Sequence, residues 1–312
     1  MKTAGTALTG RLRRRGVAAL LATLLPATAV TAAVAASPTA GAHVRSASYQ
    51  HAKFATQCKA VRAKYKGLPA TINVAISPFS PPFDTTNKTQ KITGLEPNLL
   101  SDVAGCLGFK ISYSSEGFAA VITSVQTGRS LLGLTGIFLT PTREKIIAFV
   151  PYMLSQTQVI TTPALVKKIH TVMSLCGLST GVTSGSVELK YFQTLSKKCV
   201  AAHKGAISIS IFTKITTIFA SLVAGHFDFS AGASFLNGPV LKEYPGKLAT
   251  SIFLPGTKVK IGIGVEKSDV ELGEAVAAAM QLVQHDGIET SLLAHWGFTE
   301  IPELETPAVY TR

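Results

Sequence analysis

Arg143 is the residue around which chemistry can be built. It closes a stretch, residues 128–143, that starts at Gly128, passes through a short apolar run and ends in Thr140-Pro141-Thr142-Arg143. A glycine that ends a helix, a run of strand length and a Pro-containing corner that opens a new helix follow in order. The carboxyl end of a strand in an open α/β sheet faces the crevice where ligands bind, so a guanidinium delivered there can grip a carboxylate through two parallel hydrogen bonds. A helix-capping or surface arginine fits the same residues.

Around this corner the chain has the makings of an α/β protein. Residues 70–76 alternate apolar and small or polar side chains, as a strand does, and 77–83, Ser-Pro-Phe-Ser-Pro-Pro-Phe, hold too many prolines for helix or ladder. Residues 94–108 read as a turn and an amphipathic helix ending at Gly108, with Glu96 and Asp102 as a helix-start and a solvent-face carboxylate. Strands are expected at 110–114, 153–162, 181–186, 206–211 and 260–267, and helices at 118–126, 187–196, 214–224 and 269–296.

The first 42 residues carry Lys2, Arg11, Arg13, Arg14 and Arg15, then an Ala/Leu/Val run, then small residues ending in Ala40-Gly41-Ala42. That is the layout of a secretory signal peptide cut after Ala42. No cysteine lies near the cut, which speaks against a lipid anchor and for a periplasmic or secreted product. The chain has 30 basic and 17 acidic residues. Five of the basic ones sit in the leader, leaving 25 against 17, a net charge near +8 spread along the mature chain. Without a basic cluster or a nucleic-acid module, a nucleic-acid partner is not expected. Four cysteines in an exported chain, with no Cys-x-x-Cys or His cluster, point to disulfides rather than metal, and allow three pairings.

The order Gly128, apolar strand, Thr140-x-x-Arg143, then Phe149-Val-Pro151-Tyr152, resembles the bacterial extracellular solute-binding proteins of family 3. So do Pro81-Pro82-Phe83, Gly94-Leu-Glu-Pro-Asn-Leu99, Gly181-Val-Thr-Ser-Gly-Ser186 and the closing Trp296-Gly297. The resemblance implies a two-lobed α/β fold of the type II periplasmic-binding class with a hinged cleft. Lobe 1 would be built from 43–160 and 257–312, and lobe 2 from 161–256. It implies a monomer without cofactor or metal that captures a small carboxylate-bearing ligand, an amino acid or related organic acid, for the permease of an ABC importer. A dehydratase on the same scaffold, of the cyclohexadienyl dehydratase type, is the alternative. The lobe boundaries select the pairs Cys58–Cys106 and Cys176–Cys199.

Carried onto this sequence, the family pattern gives Arg143 the ligand carboxylate, Phe118 a stacking role, and Ser77 and Phe79 a place in the cleft-lining loop. Thr135 and Gly136 would accompany the arginine, while Gly185 and Ser186 would open a helix on the facing lobe. Two positions depart. Phe138 stands where a serine or threonine usually donates to the carboxylate, and Ala233 stands where an aspartate usually meets the α-ammonium. Val187 likewise replaces a threonine. The resemblance therefore implies a ligand without the ammonium, or a substitute carboxylate, with Asp228 and Glu188 as candidates.

Overall fold

Strand β5 (Leu132–Phe138) lies at the centre of a five-stranded sheet and is buried on both faces, which is why its sequence is a continuous apolar run rather than an alternation. The computed structural model describes residues 52–298 and 304–311; the leader and its cleavage point lie outside the described residues. Helix α1 (Ala52–Lys64) precedes β1 (Thr71–Ile76), and a short hairpin of β2 (Thr85–Thr86) and β3 (Ile92–Thr93) leads to α2 (Leu95–Leu107), β4 (Lys110–Ser115) and α3 (Phe118–Gln126). After β5 come the single turn α4 (Pro141–Glu144) and β6 (Ala148–Ser155). The sheet order is β4-β1-β5-β12-β6, where β12 (Val259–Val265) returns late in the chain and runs antiparallel to both β5 and β6. Helices α9 (Val270–His285) and α10 (Ile288–His295) then close this lobe.

The second sheet has the same plan. Its strands are β7 (Thr157–Thr161), β8 (Ser179–Thr183), β9 (Ser208–Phe212), β10 (Phe229–Ala233) and β11 (Ala249–Phe253), in the order β11-β7-β10-β8-β9. Strands β10, β8 and β9 are parallel, β7 runs antiparallel to β10, and the edge strand β11 runs antiparallel to β7. Helix α5 (Pro163–Val166) follows β7, α6 (Val187–Ala201) follows β8, α7 (Ile215–Val223) follows β9 and α8 (Asn237–Glu243) follows β10. Each sheet carries apolar clusters on both faces. In the first, Leu132, Leu134 and Ile263 pack against α2 and α9, while Ala75, Ile137 and Phe149 pack against Val121 and Val125 of α3. In the second, Val159 and Phe229 pack against Phe192 and Leu195 of α6, and Ile160 against Ile218 and Leu222 of α7.

The strand expected over 153–162 is two strands, one in each sheet, and Gln156 stands between them. Pro163 starts α5, where a missing N–H costs nothing. The return crossing lies between Phe253 and Val259. The two crossings are tied together: the Leu254 N–H donates to the Thr157 carbonyl at 2.9 Å and the Thr157 N–H to Thr257 Oγ1 at 3.1 Å. Helix α6 runs five residues beyond the expected end at 196. The polar tail, uninformative as sequence, pairs along β6 through Leu304–Met153 and Tyr310–Phe149 bridges, with Lys260 holding Glu305 at 2.9 Å.

Both disulfides form as expected within a lobe. Cys58–Cys106 fastens α1 to α2, and Cys176–Cys199 fastens the segment before β8 to α6. They close loops of 48 and 23 residues. By chain-entropy reasoning each contributes roughly 3 to 4 kcal/mol. Reduction should therefore lower the thermal midpoint by roughly 10 °C, and alkylation of the unreduced protein should leave these four cysteines unlabelled. Labelling of Cys176 or Cys199 before reduction would contradict the second bridge.

Candidate functional site

The corner after β5 places Arg143 because Thr140 caps the single turn of α4. The Thr140 hydroxyl accepts from the Arg143 N–H at 3.3 Å, and Pro141 fits the first helical position. The side chain is then carried inward and is only 7 % exposed. Its Nη1 donates to the Phe138 carbonyl at 2.8 Å, within its own lobe. Its Nη2 donates to the Gly185 carbonyl of the other lobe at 3.1 Å. The guanidinium also lies over the Phe118 ring, 5.3 Å from its centroid. Burial lowers its pKa to about 10, with Glu188 opposing that shift, so the group stays cationic at neutral pH.

A cavity of about 90 Å³ opens beside it between the lobes. Of the residues singled out in the sequence, Ser77, Phe79, Phe118, Thr135, Gly136, Phe138, Arg143, Ser186 and Ala233 all line this space. Gly185 does not; it stands at the partition, where its carbonyl takes the arginine and its φ of 74° is one a glycine adopts readily. A β-carbon there would come within 2.8 Å of Ala119 on α3, so the lobes can approach this closely only through glycine.

Ser186 caps α6 by accepting from the Leu189 N–H at 3.3 Å. Phe79 faces Lys214 of the second lobe, whose Nζ is 4.7 Å from the ring centroid. Phe83 is 1 % exposed and packs on Phe235, 4.6 Å between centroids with the rings tilted, with Phe298 beside both.

The two substitute carboxylates part company. Asp228 sits at the far end of β10, where its Oδ2 accepts from both the N–H and the hydroxyl of Ser179 at 2.7 Å, and it is absent from the cavity wall. Glu188 is in the wall, buried, with Oε1 accepting from the Thr157 hydroxyl at 3.0 Å. Burial pushes its carboxyl up, partly offset by its hydrogen bonds and by Arg143. Glu116 is paired with Arg129 at 3.0 Å and does not reach the cavity.

Glu96 and Asp102 are not solvent-side residues; both are buried. Glu96 supports the floor of the cavity. Its Oε2 accepts the N–H of Thr135 at 2.6 Å and of Gly136 at 3.0 Å, and its Oε1 takes the Tyr152 hydroxyl. Those bonds hold a kink in β5 at which Thr135 has φ 136° and Gly136 φ 61°, and a non-glycine residue stays there only when its surroundings fix it. The Thr135 hydroxyl donates to the Ser77 carbonyl at 3.2 Å, tying the kink to the proline loop. Asp84 lies fully buried beside Glu96, and burial together with that neighbour pushes its carboxyl well above the usual range. On the helix side of Tyr152, Glu289 is buried too and is raised by burial to about 7.

Two lobes closing on a buried cation define a ligand-capturing protein of the two-lobed, type II periplasmic-binding class. The chain belongs to the bacterial extracellular solute-binding proteins, family 3, whose pattern it matches over residues 72–300. It is 23% identical over 219 residues to the probable ABC transporter arginine-binding protein ArtJ of Chlamydia trachomatis, covering 70% of this chain and 82% of that one. It is 25% identical over 235 residues to the histidine-binding periplasmic protein of Escherichia coli, covering 72% and 86%. Among solved structures it superposes on an ancestral arginine-binding protein bound to arginine with a TM-score of 0.67 at 21% identity, covering 73% of this chain and 99% of that one. These relatives are named as binding proteins, not as enzymes.

The buried acids beneath the site have a measurable signature. A carboxyl raised in the folded state contributes most below its unfolded pKa, and that contribution is lost as pH rises to the folded value. For Glu289 the window runs from 4.5 to about 7. Stability should fall by roughly 3 kcal/mol across it, and Glu289→Gln should flatten that part of the profile. Denaturant midpoints at pH 4.5, 5.5 and 7 check this; a variant profile as steep as the wild type would contradict it.

Proposed function

We propose that this chain captures a small carboxylate-bearing solute outside the cytoplasm and presents it to the permease of an ABC importer, with Arg143 holding the carboxylate. The observation that carries the reading is the position of Arg143. It is a buried, charged guanidinium at the interface of two lobes, in the wall of their shared cavity and one turn from the N-terminus of α6 on the facing lobe. Two of its five N–H donors go to backbone carbonyls, and the fork geometry of the remainder suits a carboxylate. A ligand that touches both lobes favours the closed arrangement by its closed-state contacts, and closure is the form a permease can recognise. Membership of the solute-binding family, and relatives named for arginine and histidine, support transport of this kind. Against the dehydratase alternative stands the composition of the wall. Glu188 is its single carboxyl among the described residues, and no histidine accompanies it.

Removing one partner of a desolvated charge pair costs roughly 2 to 5 kcal/mol. Arg143→Ala should therefore weaken ligand binding by at least about thirtyfold at 1.4 kcal/mol per decade. Calorimetry on a folded variant checks this; unchanged affinity would remove Arg143 from the site.

The ligand we favour lacks an α-ammonium. Ala233 offers it no charge, Asp228 is held by Ser179, and the wall adds Phe138, Val187, Ile215 and Leu236 to an already small space. Burying an ammonium without a carboxylate costs several kcal/mol, enough to cancel most of the roughly 8 kcal/mol of a micromolar complex. The second reading, an amino acid whose ammonium meets Glu188, rests on that residue's place in the wall. Matched pairs of amino acids and their deaminated acids separate the two. The acid should bind at least about tenfold more tightly. Preference for the amino acid, lost in Glu188→Gln, would establish the second reading instead.

A further inference from the structure

The cavity beside Ala233 is not the largest space between the lobes. On the other side of the Arg143–Gly185 bond lies a second cavity of about 800 Å³, against about 90 Å³ for the first. Small-molecule sites usually fall between about 300 and 1,000 Å³. Both lobes and the return crossing wall it: Thr140 and Thr142 from the corner of α4, Val259 from β12, one face of α6, and residues 254–257.

Its two long walls differ in chemistry. Lys190, Tyr191, Thr194 and Lys198 recur on one side of α6 at helical spacing, which puts the two ammonium-bearing residues about 12 Å apart along the axis. With Arg143 at the inner end, three cations follow one another along this wall. The single carboxylate in the lining is Glu188, which is buried and turned to the Thr157 hydroxyl. Partly buried apolar side chains of Val172, Met173 and Val259 complete the lining. A cationic row together with an apolar wall matches a molecule with one anionic end and a hydrocarbon or aromatic body.

We propose that this second cavity is a binding site for an elongated organic anion with an apolar body, such as a medium-chain carboxylate. Its charge lies along Lys190 and Lys198, and its body packs on Val172, Met173 and Val259. The two cavities share Arg143 and Glu188 in their walls, but Lys190 and Lys198 line the second alone, so the proposal holds whichever solute the first cavity takes. Because both lobes supply its walls, an occupant favours the closed arrangement and acts on capture from a distinct position.

The test is calorimetric titration of the mature protein with octanoate, with octan-1-ol as the neutral control. Octanoate should bind one per chain, at least tenfold more tightly than the alcohol, and more weakly as salt rises. Lys190, Thr194 and Lys198 are exposed on α6, so substitutions there are compatible with folding. The double variant Lys190→Glu/Lys198→Glu should weaken octanoate at least tenfold, and Thr194→Trp, which fills the cavity, should abolish binding. The alanine pair Lys190→Ala/Lys198→Ala replaces the charge reversal if the latter lowers the thermal midpoint. Absence of octanoate binding by the wild type, or unchanged affinity in a folded variant, overturns the proposal. So does loss of octanoate binding in Phe118→Ala, which would place the anion in the first cavity.

Discussion

A guanidinium taken out of water between two moving bodies is the constraint on which this structure turns. Arg143 loses hydration on closure, and the loss is bearable because backbone carbonyls from both lobes, Phe138 and Gly185, replace part of its shell. The arrangement asks a great deal of the chain around it. Thr140 and Pro141 must start a helix at one residue and no other, Gly185 must present its carbonyl with no side chain in the way of Ala119, and Phe118 must offer its ring face to the cation. The helix start and the ring of Phe118 act within the first lobe, while Gly185 makes the contact between the lobes.

Beneath the cavity a carboxylate performs the complementary task. Glu96 receives two consecutive N–H groups of β5, which ordinary strand pairing would have sent to neighbouring strands, and Tyr152 completes its shell. A buried charge with three neutral donors is stable where it is and costly to displace. The strand that leads to Arg143 is thereby bent at a fixed point, and the direction in which the arginine leaves the sheet follows from that bend.

Much of this was legible in the sequence, for identifiable reasons. The Thr-Pro-Thr-Arg corner carries its own start signals, the prolines of 77–83 exclude regular structure, and glycines punctuate the strand ends, so the elements around Arg143 could be read from local pattern, whereas the two-lobed plan and the cysteine pairs came from the resemblance to the family. Glu96 could not, since its partners lie 39, 40 and 56 residues away and a carboxylate in the first turn of a helix has a sufficient local explanation. The crossing at Gln156 was hidden because no Gly, Pro, Asn or Asp stands between Tyr152 and Thr161 to mark it. The larger cavity was hidden for another reason. Its lysines look like the solvated face of a helix until the fold brings Met173 and Val259 into the same cavity wall.

The two crossings, hydrogen-bonded side by side at Thr157 and Leu254, have a mechanical consequence. Paired strands resist separation but yield to bending and twist, so the connection behaves as one flexure instead of two independent tethers. Residues near it travel little, and residues far from it travel most. The larger cavity, whose wall includes Thr157 and residues 254–257, lies beside this flexure, so bending alters its shape less than it alters contacts farther out.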